Sequence, residues 1–365
     1  MPLTLVSLSP NRFSSRFTAA SAILDSGRWQ PESVRQIDMI NTPRIVAVIG
    51  AGSIGYRHLR NLEHLGIERL LVCEVDPERR ARLQADHPRW KWFSELSDVF
   101  EEAPDAVIVA SPSASHEEHT EAAIINDCAV FIEKPLSFQM GRLEKIAEQA
   151  IHSNLVSMVA CNMRFHPGPA TVHKLLNAGA IGELISYRLH TGSYLPQWRP
   201  HQDYRKSYSA SIETGGAILD CIHELDLALW YAGPAELITA KHLPARPIGL
   251  ETDGLAEILL QHDSDAIGSI HLNFIERDYR RSCVFIGSEG TLEWDFHRLE
   301  VKQYRSGPGE IITHRLPPDW QLNDMYVDEM RYFLNCVEGR QPTQNSIGQG
   351  LSCLKLALEV RGFRT

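Results

Sequence analysis

The stretch from Arg44 to Glu74 constrains the fold more than any other. Arg44–Ile49 (RIVAVI) is a continuous apolar run bounded by Pro43 and Gly50, the pattern of a strand buried on both faces of a parallel sheet. Gly50-Ala51-Gly52-Ser53-Ile54-Gly55 follows at once and opens a helical stretch from about Ile54 to Leu65, which Gly66 ends. Strand, then G-x-G-x-x-G, then helix is the context in which this motif binds a dinucleotide. Gly50 permits the tight turn, Gly52 lets a pyrophosphate approach the backbone, and Gly55 allows close packing of helix on strand. The pyrophosphate would then sit on the free N–H groups at the start of the helix, those of Ser53 and Ile54 among them. Arg69–Val75 (RLLVCEV) reads as a second strand. It carries Glu74 about 20 residues on, where an acid is expected to bind the ribose hydroxyls. A Rossmann domain that binds NAD follows from these three agreeing features.

Further along, Pro77 starts a helix at its first turn, where a missing N–H does no harm. Asp105–Ala110 and Ala129–Ile132 are two more buried strands, with a helix near Glu117–Ile125 between them, and Leu155–Ala160 closes the domain. Alternation at this spacing predicts βαβ units and a parallel sheet. After Cys161 the pattern changes. A helix is expected at Pro169–Asn177, a strand near Glu183–His190, a polar and aromatic loop at Gly192–Ala210 and one helix over Gly215–Tyr231. Apolar runs at Leu255–Leu260, Ala266–Phe274, Cys283–Ile286 and Thr291–Trp294 have no helices between them and predict a largely antiparallel sheet. Helices near Asp324–Val337 and Gly348–Val360 end the chain. The expected class is therefore α/β. A doubly wound parallel Rossmann sheet (42–161) follows an N-terminal extension (1–41). An α+β domain with a largely antiparallel open sheet (162–365) follows it, and its last helix is free to pack back on the first domain.

Several residues stand where chemistry could occur. Ser111 and Pro112 follow a strand, at an edge that faces the cofactor crevice. His116 begins the next helix. It is counted with the cofactor contacts, although by itself it reads, like His119, as part of a solvent-exposed helix face. Glu133 and Lys134 end the strand Ala129–Ile132. A lysine there can reach a substrate oxygen as a fixed cation, and a surface lysine is the plainer local reading. Pro135 raises the chance of a cis bond. Asp220 and His223 stand three apart and are expected to share one helix face. An imidazole beside a carboxylate suits a proton acceptor near neutral pH, and an N-capping acid with a core histidine fits equally well. No pair of residues has metal-ligand spacing, so no metal is expected.

These segments together resemble the Gfo/Idh/MocA family of sugar and cyclitol oxidoreductases. The resemblance rests on GAGSIG at Gly50–Gly55, EVDPER at Glu74–Arg79, SPSASH at Ser111–His116 and EKP at Glu133–Pro135. It continues through NMRF at Asn162–Phe165, GAIGEL at Gly179–Leu184, the GGAILDCIHELD segment from Gly215, and GSEGTLEWD at Gly287–Asp295. It implies that Lys134 and His223 act on the substrate, with Asp220 beside them to orient or charge-stabilise the imidazole. The widespread pattern has four residue steps between that Asp and His, and here there are three. The chain is similar to a branch with an Asp-x-x-His form and a Trp-Arg-Pro…Asp-Tyr-Arg loop. Trp198, Tyr204 and Arg205 of that loop, and Arg164 of NMRF, are then candidates for substrate contact.

The implied reaction exchanges a hydride between NAD and a secondary alcohol on a sugar, a sugar derivative (nucleotide-linked ones included) or a cyclitol. Two rivals stay open: a redox-neutral enzyme that keeps its NAD, and a dinucleotide-binding sensor without catalysis. A net charge of −10 argues against a nucleic-acid partner, which requires a basic face. No apolar run is long enough to span a bilayer. Seven scattered cysteines without CxxC spacing read as buried thiols in a cytoplasmic protein. An open sheet leaves one broad face to cover, so a homodimer or homotetramer is expected.

Overall fold

A computed structural model describes residues 44–362 apart from Ser306 and Pro308. The expected N-terminal extension lies outside the described residues. The first half runs β1 (Ile45–Ile49), α1 (Ser53–His64), β2 (Arg69–Cys73), α2 (Pro77–Asp86), β3 (Lys91–Phe93), α3 (Leu96–Phe100), β4 (Ala106–Val109), α4 (His116–Ile125), β5 (Ala129–Ile132), α5 (Leu143–His152) and β6 (Ser157–Val159). All six strands are parallel, in the order β3-β2-β1-β4-β5-β6. Strand order therefore reverses between β1 and β4, and a crevice opens outside the carboxyl ends of the strands at that point. The central strands are apolar along their whole length because both faces are covered: Val46, Ala47 and Val48 of β1 and Val107, Ile108 and Val109 of β4 are fully buried.

The second half runs α6 (Pro167–Asn177), β7 (Leu184–Tyr194), α7 (Ala217–Asp220), α8 (His223–Ala232), β8 (Ala235–Pro244), β9 (Asp253–His262), β10 (Ile267–Asn273), β11 (Ile275–Gly287), β12 (Gly290–Asp295), β13 (Glu300–Arg305), β14 (Ile311–Arg315), α9 (Asp324–Val337) and α10 (Ile347–Gly362). Its eight strands form one sheet in the order β14-β13-β12-β11-β7-β10-β9-β8. Every pairing is antiparallel except β7 with β10. The open antiparallel sheet is thus mixed by one parallel pair. Alternation sets the two faces of this sheet. Tyr187, Leu189 and Thr191 of β7 point into the core with α6, α7 and α8, while Arg188 and His190 point outward. From the chain's end, α9 crosses to the parallel sheet, where Phe333 meets Phe131 edge to face at 5.5 Å and Met330 is fully buried.

Three expectations need correction. The loop expected from Gly192 begins only at Leu195, because β7 continues to Tyr194 beside β10 and β11. Three short 3₁₀ turns then order it, at Leu195–Gln197, Tyr204–Lys206 and Tyr208–Ala210. The single helix expected over Gly215–Tyr231 is two helices, broken at Cys221 and Ile222. Asp220 ends the first and His223 begins the second, so they do not share one regular helical face.

Candidate active site

The glycine loop closes tightly at the crevice. Gly50 has φ +91°, and a side chain there would strike Ala110 O and Ser111 at 2.9 Å. A Cβ on Gly55 would lie 1.9 Å from Gly50 O, so only glycine lets α1 sit this close to the loop. Gly52 faces open space instead. It heads α1 with no side-chain cap, and no acid stands in the first turn. The helix start at Ser53 and Ile54 therefore keeps N–H donors for an anion. Glu74 sits just past β2 and is buried. Its carboxylate accepts from Ala51 N (2.9 Å), from Asp76 N (2.9 Å) and from Arg79 (3.1 Å). Arg80 donates to the Glu74 carbonyl. This acid fastens the second strand to the glycine loop, and both arginines lean on it.

Across the crevice, Glu133 ends β5 and pairs with His58 of α1 at 2.6 Å, both buried. Burial works to raise the Glu133 carboxyl, but the His58 bond and the Lys134 charge hold it below the usual range. The Lys134–Pro135 peptide is cis. His116 is buried, not exposed as its helix face suggested. Its ring lies between Pro135 O (3.0 Å) and Ser111 O (2.8 Å) and so braces the loops after β4 and β5. Both ring nitrogens face protein carbonyls, which leaves neither for a cofactor. The Ser111 hydroxyl is paired with His119 at 2.9 Å.

Lys134 reaches from this edge to the second half of the chain, where its Nζ donates to the carbonyl oxygen of Asp220 at 3.0 Å. Burial disfavours its charge, yet Tyr208, Asp220 and Glu133 outweigh that and raise its pKa. Lys134 is thus a fixed ammonium. Asp220 is buried, and burial raises its carboxyl against the pull of Lys134, Ser209 and Tyr208. Its Oδ2 has no hydrogen-bond partner, and neither has the buried Nδ1 of His223. Burial, then Lys134, then Arg281 push the His223 pKa well below its ordinary value, so the ring is neutral at neutral pH. Behind it Arg281 pairs with Glu224 at 2.8 Å and donates to Thr191 at 3.0 Å. Gly216, at φ +99°, leads into α7 where Asp253 accepts from Ile218 N at 2.8 Å, fixing the helix that presents Asp220. A cation, a buried acid and a neutral imidazole thus come together, and Ser209 Oγ, Asp220 Oδ2 and His223 Nδ1 there lack hydrogen-bond partners.

Residues 44–161 match the oxidoreductase family with an NAD-binding Rossmann fold, and 170–293 match the Gfo/Idh/MocA C-terminal domain. An inositol 2-dehydrogenase of Ralstonia nicotianae is 30% identical over 84% of this chain and 89% of its own length. The chain belongs to the Gfo/Idh/MocA family. Another relative is the NAD(+) scyllo-inositol 2-dehydrogenase of Bacillus subtilis, 27% identical over 82% of this chain and 88% of that protein. Among solved structures, levoglucosan dehydrogenase in complex with NADH and levoglucosan has the same fold. It superposes with a TM-score of 0.78 at 20% identity, covering 87% of this chain and 96% of that one.

Within this Gfo/Idh/MocA chain the expected site residues separate into two groups. Gly50 packs on Ser111, Glu74 is bonded to Ala51 of the glycine loop, Glu133 to His58 of α1, and Lys134 reaches Asp220, so these expected residues form one connected group. Arg164 is not among them: it is buried in a double hydrogen bond to Asp226 (2.8 and 2.6 Å) and donates also to Gln344 O, so it has no reach to a substrate. Tyr204 turns its hydroxyl to Ile248 O at 2.9 Å. Arg205 is exposed and pairs with Asp203 at 2.9 Å. Trp198 donates to Ser193 at 3.0 Å and stands edge-on to Phe274. Asp220 Oδ2 and His223 Nδ1 are not hydrogen-bonded to each other; the cations of Lys134 and Arg281 act on His223, and Lys134, Tyr208 and Ser209 act on the acid. Tyr208 was the unforeseen member. It faces Lys134 and Asp220 and lies under Arg199, 5.6 Å from ring centre to guanidinium. The signal for it was Gly215: a Cβ there would meet Tyr208 O at 2.2 Å, so this glycine lets the turn approach, while a Cβ on Gly216 would meet the Asp253 carboxylate instead.

Proposed function

We propose that the chain is an NAD(H)-dependent oxidoreductase that interconverts a secondary alcohol and a ketone on a sugar, sugar derivative or cyclitol. The observation that carries this reading is Lys134 Nζ on the main-chain carbonyl of Asp220, with the Asp220 Oδ2 and the His223 Nδ1 nearby left without hydrogen-bond partners. The crevice fits NAD. Gly50, Gly52, Ser53, Ile54 and Gly55 would hold the pyrophosphate and Glu74 the ribose, with Ser111, Pro112 and Glu133 lining the far wall. NAD, when bound, supplies the hydride acceptor. His223, held neutral, takes the hydroxyl proton as the C–H bond breaks. Lys134 stabilises the oxygen as it gains negative charge and, in reverse, polarises the ketone. Asp220 keeps Lys134 charged through its carboxylate and holds it in place through its carbonyl. The names of the relatives, for inositols and levoglucosan, support a polyol substrate. An NADH-fluorescence screen over free, acidic and nucleotide-linked sugars and cyclitols tests the reading. Turnover of at least one is expected; NAD retained through purification with no net NADH from any of them would replace it with a redox-neutral reaction.

A further inference from the structure

The outward face of the eight-stranded sheet holds a cluster that the crevice does not use. His190 on β7 and His271 on β10 are register partners across the parallel pair, and their rings stack at 4.6 Å with 19° between planes. Glu276 joins them because β11 slips register between Ile275 and Arg280, and that irregularity folds its carboxylate back over the sheet. A side chain on Gly192 would occupy the place of that carboxylate, 1.7 Å from Oε2. His190 Nε2 donates to Glu276 Oε2 at 2.9 Å, and Arg280 holds the other oxygen at 3.3 Å. His271 donates from Nδ1 to Glu257 at 2.6 Å, which leaves Nε2 with a lone pair, met by the amide of Asn273 at 2.9 Å. The three ligand atoms all lie within 4.8 Å of one another, and His190 also lines a cleft of about 400 Å³ with Ser282, Asp295 and His297.

The geometry points to a divalent transition-metal site at His190, His271 and Glu276. Two imidazoles and a carboxylate form a donor set for zinc or nickel, not for magnesium or calcium, which prefer oxygen. The His271 bond to Glu257 is the carboxylate contact that orients a metal-bound histidine. With bonds of about 2.0–2.2 Å, two ligand atoms on one ion lie no more than about 4 Å apart, so the widest pair closes by a small rotation of half-exposed side chains. Binding replaces the proton between His190 and Glu276 and displaces the Asn273 amide, which donates to both His271 Nε2 and Glu276 Oε2. Residue spacing carries no sign of this because the two histidines stand on strands far apart in the chain and meet only through sheet register.

Calorimetric titration of the full chain with zinc chloride, and with magnesium chloride for comparison, tests the inference. One zinc per chain is expected, with no magnesium binding and a melting temperature that rises with zinc. The double variant His190→Ala/His271→Ala and, separately, the milder Glu276→Gln lose this binding, and Glu257→Gln weakens it about 10–100-fold. No zinc binding by the native chain, or unchanged binding in folded Glu276→Gln and double-variant proteins, would overturn the site.

Discussion

Arg164 and Asp226 are sealed from solvent, each side chain only 4% exposed, and meet through two hydrogen bonds. Removing one member of such a pair strands a buried charge, so Arg164→Ala is expected to cost about 3–5 kcal/mol of stability, measurable by denaturant unfolding. A folded, equally stable variant with only a raised KM would return Arg164 to the substrate. Glu74 leads to a second expectation. A buried carboxylate beside the ribose position repels a 2′-phosphate, so kcat/KM should favour NAD over NADP. Arg79, which already touches that carboxylate and is partly exposed, is the group that would reverse the preference. At this scale the sequence showed which residues carry charge but not where each charge is used. Arg164, Tyr204 and Arg205 looked free because their partners, Asp226, Ile248 and Asp203, are assigned by tertiary packing or by a local turn.

The loop–helix junction makes the sharpest prediction among the elements. Gly52 has nothing within 4 Å of where a Cβ would lie, whereas on Gly55 that atom would sit inside contact distance of Gly50 O. Gly52→Ala should therefore melt near the parent yet lose NAD affinity, since its methyl points into the space over the helix start. Gly55→Ala should lose both, at about 1–3 kcal/mol for forced overpacking. Fluorescence titration with NADH alongside thermal melts checks it, and Gly52→Ala with parental affinity would remove the pyrophosphate from this loop. The strands of the parallel sheet were legible because full burial on two faces writes a continuous apolar run. The edge strand β3 was not, being three residues long and only partly covered. The break between α7 and α8 was equally hidden. Ile222 keeps helical dihedrals, and the change at Cys221 (φ −93°, ψ 27°) has no residue signature such as proline or glycine.

For the whole molecule, the outward face of the second sheet is the surface left to explain. Ile267 and Ile286 flank Ser186 across three neighbouring strands and are 41% and 43% exposed. Packing of this face against a second copy would cover them, so light scattering at micromolar concentration is expected to give a dimer or larger, and a monomer mass would leave the face free. Among the described residues no helix is long and apolar enough to cross a membrane. The two halves of the chain meet where Lys134, from the parallel sheet, reaches Asp220 and the neighbourhood of His223, and the proposed chemistry depends on that meeting. Single-turnover hydride transfer in His223→Ala, with the polyol that the screen identifies, tests it most directly. The account predicts a chemical step slower by about 10²–10⁴-fold at unchanged NAD affinity. It also places the acid limb of the parent below pH 6.5, because burial and two cations depress the His223 pKa and its base form persists further into acid. A His223→Ala enzyme that transfers hydride at the parental rate would contradict it.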